Sequence, residues 1–104
     1  MKKIFILVAF ILVRSIVANS VDCIMLEDED SIVCKYTHDR IPYDHNVFIK
    51  WIEPDNTVSR EREMTIPAYH GSIYDYRYKK GRTKGIWTFE VIDNNTSYKT
   101  NFKL

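Results

Sequence analysis

From Val21 onward the chain keeps no sustained helical spacing of apolar residues; it breaks instead into short runs of strand length. Seven strands are predicted: Val21 to Glu27, Ser31 to His38, His45 to Glu53, Thr57 to Ile66, Ser72 to Lys79, Ile86 to Asp93 and Thr96 to Lys103. β-Branched and aromatic residues dominate these runs, which favours pleated, half-buried backbone. The gaps carry turn chemistry: Glu27 to Asp30, Asp39 to Asp44 with Pro42, Pro54-Asp55-Asn56, Pro67 with Gly71, Lys80 to Gly85, and Asn94-Asn95. Short strands at such regular spacing define an all-β chain that folds as an antiparallel sandwich.

Alternation assigns the faces. Val47, Ile49 and Trp51 point one way on the third run, and Trp87, Phe89 and Val91 do so on the sixth. Tyr98, Thr100, Phe102 and Leu104 continue the set on the seventh. The intervening Lys50, Thr88, Glu90, Lys99, Asn101 and Lys103 form a wet opposite face.

Ahead of the strands, Lys2 and Lys3 precede an unbroken apolar run from Ile4 to Val13, then Arg14 and a stretch containing Ala18, Asn19 and Ser20. This is the layout of a secretory signal peptide over 1–20, with cleavage expected after Ser20 and a single mature domain at 21–104. A spanning helix needs about 20 apolar residues, so no stable membrane span is expected once the leader is gone. Lipid attachment at Cys23 is disfavoured because Asp22 stands where a small residue is required. The leader removes three basic side chains and no acidic ones, leaving 12 basic against 14 acidic and a net charge of −2. A domain so balanced has no global field to attract nucleic acid. The expected location is the periplasm or the extracellular space.

Export also makes the two cysteines candidates for a disulfide. In CIMLEDEDSIVC the acidic loop lies symmetrically between Cys23 and Cys34, so a hairpin with a four-residue connection sets the two directly opposite one another. If Leu26 and Ser31 close that hairpin as a hydrogen-bonded pair, the cysteines fall on a closely spaced, non-hydrogen-bonded one. Closing so short a ring contributes about 3 kcal/mol in the chain-entropy description. No C-x-x-C or His–Cys spacing favours a redox or metal role.

Seven strands in fewer than 90 residues, a Trp in the middle of the third, and the C-terminal hairpin GIWTFEVIDNNTSYKTNFKL resemble an immunoglobulin-like sandwich of bacterial exported and surface proteins. The resemblance implies two packed sheets and a role in adhesion, assembly, chaperoning or ligand binding. It departs in its cysteines: antibody-type domains link the second and sixth strands, whereas here both cysteines belong to the first hairpin and Val91 fills the sixth-strand position.

The densest local chemistry is YDYRYKKGRTK, with Tyr74, Tyr76 and Tyr78 on one strand face and Arg77, Lys79, Lys80, Arg82 and Lys84 close by. Phenols beside cations suit an envelope or extracellular protein, or an acidic glycan, bound by stacking and charge-assisted hydrogen bonds. The bland alternative is that these tyrosines cover the core. In SREREM, Arg60 and Arg62 share a face, a pattern that protects an edge strand from aggregation. Asn94 and Asn95 begin two overlapping N-x-S/T acceptor sequences at a hairpin tip.

The rival function is a small periplasmic enzyme or metal-binding protein using His38 and His45 with Asp39, Asp44 or other nearby carboxylates. Neither histidine has a recognised ligand spacing, and no nucleophile elbow, Walker loop or dinucleotide fingerprint occurs. The reading is therefore a non-enzymatic binding or assembly module without cofactor or metal.

Overall fold

The computed structural model describes residues 19–104. Residues 1–18, and with them most of the expected signal peptide, lie outside the described residues. The seven strands are β1 (Ser20–Leu26), β2 (Ser31–Thr37), β3 (His45–Ile52), β4 (Val58–Ile66), β5 (Ser72–Tyr78), β6 (Ile86–Asp93) and β7 (Thr96–Lys103). They form two antiparallel sheets, one in the order β1-β2-β5 and the other in the order β4-β3-β6-β7. The only helical element among the described residues is a single 3-10 turn, Glu27–Glu29, inside the first hairpin.

The core lies where alternation puts it. Val47, Ile49, Trp51, Trp87, Phe89, Val91 and Phe102 are buried, and Ile32, Cys34 and Tyr36 meet them from the other sheet. Trp51 packs its edge against Phe89 and Phe102, with ring centres 5.2 and 5.7 Å apart. Tyr98 and Leu104 pack only partly against this core, and Thr100 is half-buried. They belong to or follow β7, a sheet-terminal strand flanked on one side only.

Cys23 and Cys34 are register partners and form the disulfide, with Leu26 opposite Ser31 as the hairpin closure demands. Their Cα atoms are 4.1 Å apart, which matches the narrow type of antiparallel pair rather than the wide one near 5.5 Å. Two other connections show why their residues are there. Asn94 and Asn95 both adopt left-handed backbone, with φ of 50° and 67°, in the two-residue turn between β6 and β7. Gly85, at φ 130°, exchanges both backbone hydrogen bonds with Leu104, and a Cβ there would stand 2.9 Å from Pro54.

Candidate functional site

The β4–β5 flank of the sandwich is built around one carboxylate. β4 and β5 are terminal strands of different sheets, and their inward side chains meet across the open side. Asp75, only 6% exposed, accepts from the indole Nε1 of Trp51 at 2.7 Å through Oδ2. Arg62 reaches its Oδ1 at 3.0 Å and Arg60 its Oδ2 at 3.3 Å. Arg77, two positions along β5 on the same inward face, is 9% exposed, sits over the Trp51 ring and donates to Ser59 Oγ. Its Nε is buried with no hydrogen-bond partner among the described residues. Burial, followed by the nearby charges of Arg82 and Arg60, pushes the Arg77 guanidinium below its ordinary pKa.

These inward residues border a cleft of about 240 Å³, whose rim is formed by Tyr76, Tyr78 and Arg82. Arg82 is oriented by its Nε, which donates to the Tyr78 carbonyl at 3.0 Å. Four guanidinium groups thus surround a single acid, an excess of three positive charges.

The outward face of β5 is different in kind. Tyr74, Tyr76 and Tyr78 are 58%, 57% and 60% exposed, and the Tyr76 and Tyr78 rings meet edge to face. The alternative in which these tyrosines cover the core is therefore corrected: Asp75 takes an inward position, where it accepts from the indole N–H of Trp51 and from the β4 arginines, and alternation carries Arg77 to the same side. Arg77 consequently points to the opposite face of β5 from the exposed tyrosines, although Tyr76 and Tyr78 border the same cleft. The register sets Ile24, Val33 and Tyr76 in one row across the three-stranded sheet, so the tyrosines extend an apolar outer surface. Lys35 lies 5.9 Å over the Tyr74 ring.

Beyond β5 the basic loop meets the acidic one within the same chain. Lys79 Nζ lies 3.1 Å from Glu27 and 3.6 Å from Asp30, and its backbone N–H donates to the Asp30 carbonyl. The hydrogen bond to Glu27 holds the Lys79 ammonium above its ordinary pKa. Lys80 and Lys84 are exposed, without an ion-pair partner among the described residues.

At the opposite end of the sheets, His38 and His45 do come together, their rings in edge contact at 4.9 Å. The carboxylate beside them is neither Asp39 nor Asp44. Asp93 lies 3.6 Å from His45 Nε2, while Asp44 accepts from the Ala68 backbone N–H. His38 Nδ1 faces the Asp39 carbonyl, an acceptor, at 2.6 Å, so this nitrogen is the donor. Asp93 also accepts from Tyr36 Oη at 2.7 Å, and Asn19 Nδ2 donates to both Tyr36 Oη and Tyr98 Oη. No group of three or more His, Cys, Asp or Glu among the described residues is arranged to hold a metal ion. Asn94 and Asn95 are exposed beside this end.

Asp75, Arg60 and Arg62 are the members of the β4–β5 arrangement that sequence reading did not assign to a binding site. The usable signal was the indole N–H of a core tryptophan, which needs an acceptor when buried. No protein-family model matches the chain, and no curated protein is similar to it at a significant level.

Proposed function

We propose that the chain is an exported, non-enzymatic binding or assembly module of immunoglobulin-like architecture. The sheet orders β1-β2-β5 and β4-β3-β6-β7, with a tryptophan buried on the third strand, support that architecture. The disulfide, next to the expected new amino end, is consistent with an oxidising compartment outside the cytoplasm.

One observation carries the functional reading: three tyrosines, each more than half exposed, line one face of a sheet-terminal strand that runs into a loop with exposed Lys80 and Lys84. Large aromatic side chains are costly to leave in water, and Tyr and Arg are enriched in contact surfaces. The contact surface is Tyr74, Tyr76 and Tyr78 with Lys79, Lys80, Arg82 and Lys84, and the partner is an envelope or extracellular protein or an acidic glycan. Replacing the three tyrosines, Lys80 and Lys84 by Ser, then repeating partner capture from envelope extract, tests this. Partner recovery equal to that of the parent chain removes the assignment.

A second reading, a small enzyme or metal protein, draws on the His38–His45 contact and on the unpartnered, buried His38 Nε2 and His45 Nδ1. Native mass spectrometry and a chelator melt test it; no bound ion and no shift in melting retire it. Glycan attachment at Asn94 or Asn95 is proposed on their exposure at the β6–β7 turn, and intact-mass measurement decides it.

A further inference from the structure

We infer that the cleft between β4 and β5 is a binding site for a sulfate or phosphate monoester carried on a glycan, held by Arg60, Arg62, Arg77 and Arg82. The inference rests on the reading of β5 as a contact surface and specifies what that surface takes.

The first ground is charge. Asp75 is the one acid lining the cleft, and both of its oxygens are already engaged, Oδ2 by Trp51 and Arg60 and Oδ1 by Arg62. Glu53, the other acid whose charge reaches Arg77, accepts from Thr83 Oγ1. Glu61 and Glu63 alternate with the arginines along β4 and so belong to its other face. Three guanidinium charges therefore have no counterpart inside the cleft.

The second ground is a donor without an acceptor. Arg77 is nine-tenths buried, and its Nε has nothing to donate to. Buried donors are otherwise almost always paired. The Arg77 guanidinium is fixed by its placement over the Trp51 ring and by the bond that Nη1 donates to the Ser59 hydroxyl, so the fork is held in place before any ligand arrives. Planar guanidinium forks match the oxygens of sulfate and phosphate esters two at a time.

The third ground selects a glycan as the carrier. Tyr76 and Tyr78 border the cleft and expose their rings to solvent. A sugar presents a C–H face that packs on such a ring while its ester group enters between the arginines. Lys80 and Lys84 belong to the loop after β5 and, with Arg82, line the neighbouring depression that also holds Glu27 and Asp30.

The full chain is titrated by calorimetry with a heparin-type hexasaccharide, its desulfated counterpart, a sulfotyrosine peptide and inorganic sulfate. Binding of the sulfated hexasaccharide is expected to weaken about tenfold or more in Arg62→Gln/Arg82→Gln, and under threefold in the charge-matched Lys50→Gln/Lys99→Gln. In the parent chain, ¹⁵N spectra are expected to show the Arg77 Nε–H resonance shifting on titration, a readout that no variant's folding affects. Equal loss in the two double variants, or a still Arg77 resonance, reduces the effect to general electrostatics and overturns the site. Binding of the desulfated sugar as tight as the sulfated one overturns the ester, and a preference for the sulfotyrosine peptide overturns the glycan. If no anionic probe binds while partner capture still depends on the tyrosines, this inference falls and the contact-surface reading stands.

Discussion

The indole N–H of Trp51 donates to Asp75 across the sandwich at 2.7 Å, linking the centre of one sheet to the terminal strand of the other. Trp51 is fully buried, and Asp75 lets its single polar atom stay there. The same carboxylate gathers Arg60 and Arg62, so one residue serves the core, the join between sheets and the cleft at once.

Asp75→Ala is expected to destabilise the fold by about 2–4 kcal/mol, since it leaves the indole N–H unpaired and the arginines without their counter-charge. Asp75→Asn keeps an acceptor for Trp51 and should lose less than half of that. Urea denaturation followed by Trp fluorescence measures both. A cost below about 0.5 kcal/mol for the alanine variant contradicts this account.

Tyr36 governs the alkaline limit. It is 1% exposed; burial, its donated bond to Asp93 and that carboxylate's charge all push its phenol well above the ordinary value. The folded pKa is the higher one, so the contribution is fully present below about pH 10 and is lost as pH rises further. Stability of the parent chain should therefore fall more steeply above that pH than stability of Tyr36→Phe, which loses about 1 kcal/mol at neutral pH. Melting curves from pH 8 to 12 make the comparison, and parallel profiles for the two proteins count against it.

Gly85→Ala combines a left-handed backbone position with a 2.9 Å approach to Pro54. The loss is expected to be about 2–3 kcal/mol, with the Gly85–Leu104 hydrogen bonds exchanging amide protons faster. Gly81, at φ 81° with open space around it, should lose only about 1 kcal/mol on the same change. Equal losses at the two sites would mean that the Pro54 contact is unimportant.

Replacing Cys23 and Cys34 together by Ala should lower stability by about 3 kcal/mol without changing the strand pairing, because the hairpin register is set independently by the Leu26–Ser31 closure. Far-ultraviolet circular dichroism and a denaturant midpoint decide it. Loss of the β spectrum under native conditions would assign the bond a larger role.

Strand positions were legible because alternation is local: the ranges read for β6 and β7 match the observed ones, and the other five differ by one residue at an end or at both ends. The orientation of β5 was not legible. YDYRY alternates large tyrosines with charges, and hydrophobicity alone turns the phenols inward. Their actual outward placement depends on Trp51, Arg60 and Arg62, which lie 13 to 24 residues away in sequence. The histidines show the same division. Their meeting follows from strand ends brought together, whereas Asp93 as their neighbour depends on how β6 lies beside β3. Arg60 and Arg62 were correctly placed on one face of a terminal strand, but the acid that draws them inward lies on a different sheet.

The covalent link between β1 and β2 has a bearing on the outer surface as well. Ile24 and Val33 immediately adjoin Cys23 and Cys34 and point to the opposite side, where they share a row with Tyr76. The sulfur bridge therefore acts as a brace beneath that platform: it resists shear between the first two strands and keeps the surface a firm, preshaped floor.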